Sequence, residues 1–67
     1  MSKERIPTLA ELKAIIEELT ACRFEWANKA YFDRQRGRME AALFDEWVSG
    51  AYQHAAERLQ SAIGGAQ

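Results

Sequence analysis

Between Leu9 and Ala30 the chain places Leu9, Leu12, Ile15, Ile16, Leu19, Cys22, Trp26 and Ala30 at helical spacing. At about 100° per residue these side chains occupy roughly half of a helix circumference. Glu11, Glu18 and Glu25, seven apart, form a separate acidic line. The pattern predicts one long amphipathic helix. A second apolar series, Phe44, Val48, Ala51, Ala55, Leu59 and Ala62 with Trp47 and Tyr52 on its flanks, predicts another.

The boundaries of these elements follow from local chemistry. Thr8 with Glu11 three residues later reads as a capping box, so the first helix is expected over 8–34. No glycine or proline interrupts it before Gly37, which can take the left-handed conformation that closes a helix. Residues 35–38 form the turn and 39–63 the second helix, with 64–67 as a tail opened by Gly64 and Gly65. Residues 1–7, which hold the only proline, read as a charged lead-in expected to stay loosely ordered.

So short a connection makes the helices antiparallel neighbours, and the fold class is all-α, a helical hairpin. Trp26 is expected near the level of Trp47 and Val48, Leu19 near His54 and Ala55, and Leu12, Ile15 and Ile16 near Leu59, Ala62 and Ile63. Bulky side chains would then face an alanine-rich strip. Ser49-Gly50 could divide the second helix, but the apolar spacing runs through without a change of phase, which favours continuity.

Size and charge bring in a partner. A chain of 67 residues has room for a single small domain. One cysteine and one histidine leave no intrachain disulfide and no structural metal to reinforce it. Burial at about 25 cal/mol per Å² set against about 1.5 kcal/mol of ordering entropy per residue ends near zero for such a chain. A homodimer with a four-helix arrangement is therefore expected, its core and interface built from Leu12, Ile15, Ile16, Leu19, Trp26, Phe44, Val48 and Leu59. Cys22 reads as a small buried hydrophobe in a reducing compartment. With no signal segment and no apolar run of about 20 residues, a cytoplasmic location away from membranes is expected.

Catalysis finds no support in this inventory. His54 and Glu57 lie one turn apart, yet a metal site in a helical bundle needs several inward carboxylates, and the apolar lines hold almost none. Cys22 and His54 come to similar levels in a hairpin but lack surrounding pocket-forming elements. No glycine-rich phosphate loop or nucleotide motif is present. The expectation is a non-enzyme with no cofactor, no metal and no small-molecule substrate.

The polar feature that stands out is the turn. Nine basic and ten acidic residues give a net charge of −1, but 33–38 carries three arginines and one aspartate, followed by an acidic second helix. Arg34, Arg36 and Arg38, with Lys29 close by, are placed to meet an acidic protein patch or nucleic-acid phosphates, or simply to satisfy the end of the first helix. Phe24, Tyr31, Phe32 and Trp47 lie off the main apolar lines and read as partner-contact residues. In size and plan the hairpin resembles plasmid RNA-binding regulators, type III secretion co-chaperones and phage inhibitors of host proteins. The function expected is a protein-protein interaction module that masks a surface of a larger protein, as an inhibitor, anti-activator or chaperone-like adaptor. A dimeric nucleic-acid-binding regulator is the alternative, disfavoured by the balanced charge.

Overall fold

The computed structural model describes residues 6–65, which form two helices, α1 (Leu9–Gln35) and α2 (Met39–Gly65), packed side by side. Most of the expected lead-in and the end of the expected tail lie outside the described residues. Thr8 caps α1: its hydroxyl accepts from the Glu11 N–H at 3.2 Å, and the Glu11 carboxylate accepts from the Thr8 N–H at 3.1 Å. Two of the donors orphaned at the helix start are satisfied within four residues.

The far end of α1 closes on Gly37, whose φ of 75° lies in the left-handed region. The Arg38 N–H donates to the Asp33 carbonyl at 2.8 Å and the Gly37 N–H to that of Arg34 at 3.1 Å, the two bonds of a Schellman closure. The chain reverses at once, and the Arg38 carbonyl already accepts from the Ala42 N–H at 2.9 Å. α2 runs through Ser49 and Gly50 unbroken, and it continues to Gly65 rather than stopping at Ile63.

Which faces meet differs from the expectation. On α1 the side toward α2 is Leu12, Ile16, Leu19, Arg23, Trp26, Ala30 and Asp33, spaced alternately four and three. On α2 it is Ala42, Asp45, Ser49, Tyr52, Ala56, Leu59 and Ile63, again at alternating threes and fours. This is the 3.5-residue seam of an antiparallel coiled coil. The expected α2 face is turned outward by about one position: Phe44, Ala51, Ala55 and Ala62 are exposed, Val48 is half-buried, and only Leu59 belongs to both series. Close approach is the physical reason. Ala42, Ser49 and Ala56, seven apart, present small side chains that let the backbones come near enough for the Ser49 hydroxyl to donate to the Arg23 carbonyl at 2.9 Å.

The result is one layer, not two. Its Cα extents are 49 × 30 × 14 Å, with a radius of gyration of 15.6 Å, where a compact chain of this length is expected near 11 Å. It exposes 5577 Å², about 1,300 Å² more than the roughly 4,300 Å² expected of a compact 7.6 kDa protein.

Candidate interaction surfaces

A two-helix layer has two broad faces, and here they differ sharply. On one, Leu12, Ile15, Leu19, Cys22 and Trp26 of α1 lie beside Phe44, Val48, Ala51, Tyr52, Ala55, Leu59 and Ala62 of α2. Leu19, Val48, Ala51, Tyr52 and Ala55 line an open groove of ≈ 370 Å³ with almost no polar surface. Toward the turn, Trp26 meets Phe44 edge to face, ring centroids 6.1 Å apart. The Lys29 ammonium stands 4.8 Å over the Trp26 ring. Isolated apolar side chains on a surface need no explanation, but a contiguous face does.

The opposite face is polar. Its groove, ≈ 190 Å³, is lined by Ile16, Thr20, Arg23, Gln53, Ala56, Glu57 and Gln60. Arg34 forms an ion pair with Glu46 across it. The Arg23 guanidinium lies 4.8 Å over the Phe24 ring, which occupies the rim with Tyr31. Thus the seam and the polar face carry most of the interhelix polar contacts, while the most apolar sector of the molecule has no partner among the described residues.

The aromatic side chains gather toward the turn. Tyr31 and Phe32 meet edge to face at 5.5 Å, and both are exposed, as are Phe24, Leu43 and Phe44. Trp47 is 79% exposed, on the outer edge of α2. The three turn arginines do not form one patch. Arg34 is turned to Glu46, whereas Arg36 and Arg38 line an open groove of ≈ 480 Å³ with Glu25, Asn28, Lys29, Phe32 and Asp33. Among the interface and core residues expected from the sequence, Leu12, Ile16, Leu19, Trp26, Val48 and Leu59 are half-buried, while Ile15 and Phe44 are exposed.

Two carboxyls in the seam were not singled out from the sequence. Asp45 is 1% exposed and Asp33 6%. Neither Asp45 oxygen accepts a hydrogen bond from an N–H or O–H of the described residues. Sharing a proton with Asp33 is the main influence that holds the Asp45 carboxyl above the usual aspartate range; burial adds to it, and Lys29, 3.6 Å away, opposes it. In sequence, Asp33 passes for a helix-end residue and Asp45 for an acid near a helix start. The three-four spacing of 42, 45, 49 and 52 was the available signal, and it is masked because aspartate and serine do not read as core residues.

Cys22 is half-buried on the apolar face, and His54 is exposed on the outer edge of α2. Among the described residues no three His, Cys, Asp or Glu side chains are grouped so as to hold a metal ion, and no helix is long and apolar enough to cross a membrane. No protein-family model, curated protein or solved structure matches this chain.

Proposed function

We propose that the chain is a non-catalytic, cytoplasmic protein-protein interaction module. Its hairpin pairs with a second copy through the apolar face to give a four-helix arrangement. The exposed side chains Phe24, Tyr31, Phe32, Arg36, Arg38 and Trp47 then cover a surface of a larger protein, as an inhibitor, anti-activator or chaperone-like adaptor would. The observation that carries this reading is the division of the layer into a polar face and an apolar one. Domains ordinarily close a core between two layers, and this chain supplies only one. The chain exposes about 1,300 Å² more than a compact protein of its mass, which leaves room for the roughly 800 Å² each partner contributes to a standard interface.

The nucleic-acid alternative gains nothing from the arginines. Arg34 is neutralised by Glu46, and Arg36 and Arg38 share their groove with Glu25 and Asp33. A phosphate-binding surface needs uncompensated positive charge.

Sedimentation equilibrium at micromolar concentration is expected to give a dimer, and Val48→Glu, which sets a charge in the apolar groove, to return it to monomer. A folded wild-type monomer at those concentrations would sink the assembly. For the larger partner, the wild-type chain and a Phe32→Ala/Trp47→Ala chain serve as parallel baits. A protein held by the first and lost from the second marks these residues as contacts worth more than about 1 kcal/mol; equal retention removes them from the interface.

A further inference from the structure

We infer that the second copy docks with its two-fold axis parallel to the helices, so that α1 of each chain lies over α2 of the other and both turns sit at the same end of the dimer. This rests on the pairing proposed above and names its geometry. Two aligned hairpins stacked face to face have two closed two-fold arrangements. In one, α1 covers α2 of the second copy; in the other, reversed end for end, α1 covers α1 and α2 covers α2.

Size complementarity favours the first. The bond between Ser49 and Arg23 sets position 49 level with position 23, so along α2 the residues Ala62, Arg58 and Ala55 stand level with positions 10, 14 and 17 of α1. With the axis along the helices these levels are kept between copies. Ile15 then enters the gap between Ala55 and Ala62 of the second copy, with Leu12 and Leu19 to either side. Over the half of the interface away from the turn, large side chains meet small ones. The reversed arrangement sets Ile15, Leu19 and Trp26 against their own kind and alanine against alanine, which crowds one half of the interface and leaves the other thin.

Charge points the same way by a separate route. The outer rim of the apolar face carries Glu18 and Glu25 on α1 and Arg58 on α2. In the first arrangement Arg58 of the second copy arrives one turn from Glu18, on both outer edges of the dimer. In the reversed one, α1 crosses its own copy about its midpoint at Cys22, and Glu18 of each chain meets Glu25 of the other. Like charges at such a rim select against that pairing.

The consequence for function is geometric. Phe32, Trp47 and the turn arginines of both copies gather at one end, giving a two-fold contact surface rather than two distant ones.

Charge reversal with sedimentation readout tests the orientation. Glu18→Arg and Arg58→Glu should each weaken dimerisation by roughly tenfold, and the double variant should recover it. Glu18→Arg that tightens the dimer would overturn the inference, because it would relieve a Glu18–Glu25 contact; unchanged affinity in all three variants would overturn it too. Cross-linking gives an independent reading that does not depend on affinity. In a Cys22→Ser background, Ile15→Cys/Arg58→Cys, whose positions stand almost level across the interface, should give an oxidised covalent dimer, while the wild-type chain, whose Cys22 residues lie on diagonal helices, should not. A ready Cys22–Cys22 disulfide dimer overturns the orientation but leaves the pairing intact, whereas a folded monomer overturns both. Helicity measured by circular dichroism confirms that each variant is folded.

Discussion

Ala42→Leu with Ala56→Leu probes the seam on which everything else depends. Ala42 is fully buried and Ala56 8% exposed, both on the side of α2 toward α1. Each substitution adds three carbons where the helices are held together by the Ser49–Arg23 bond lying midway between them. Overpacking of this kind costs about 1–3 kcal/mol per site. The two sites are fourteen residues apart, about 21 Å along the helix, so their costs should add to about 2–6 kcal/mol. A chain of this length has about 3–10 kcal/mol of total stability at 0.05–0.15 kcal/mol per residue, and the pair of substitutions removes much of it. Urea unfolding followed by circular dichroism measures the loss. The comparison chain carries Ala51→Leu with Ala55→Leu, both on the outward face. In the dilute regime, where the melting temperature no longer moves with concentration, it should stay within about 0.5 kcal/mol of wild type. If the Ala42/Ala56 variant unfolds at the wild-type urea midpoint, α2 does not meet α1 through this side, and the division into polar and apolar faces fails with it.

Three further outcomes follow from single positions. Gly50 lies inside α2 with open space where an added methyl group would stand, so Gly50→Ala should add about 1 kcal/mol, raising the melting temperature by about 4–8 °C; a fall would mean that the helix is not continuous there. Gly37→Ala forces a side chain into φ 75° and should cost about 1–2 kcal/mol by urea unfolding; no loss would mean that the turn does not use that conformation. Asp45, flanked by Asp33 and Lys29 of α1, binds its proton more tightly folded than unfolded, so its share of the stability is present at low pH and is lost as pH rises from the ordinary aspartate range through the raised folded value. Asp45→Asn should flatten that limb of the stability–pH profile, and an unchanged profile would exclude the seam carboxyl as its source.

The two helices, the cap at Thr8 and the closure at Gly37 are legible from local sequence, because each depends on groups a few residues apart. The Thr8–Glu11 exchange of hydrogen bonds and the positive φ of Gly37 need no information from elsewhere in the chain. Continuity through Gly50 was legible too, since the apolar period keeps its phase across it. The choice of which side of α2 meets α1 belongs to the tertiary structure. Hydropathy ranks Phe44, Val48 and Ala55 above Asp45 and Ser49, yet the latter line the seam, because backbone approach and the Ser49–Arg23 bond depend on side-chain volume and reach as well as on apolarity. The same rotation decided what remains outside. The apolar line that the sequence marks most plainly on α2 is largely the one left uncovered, and Trp26, expected near the level of Trp47 and Val48, makes its ring contact with Phe44 on that open face. Burial is settled by both helices together, and a pattern read along one of them gives the width of its apolar sector without saying which edge of that sector its neighbour will take.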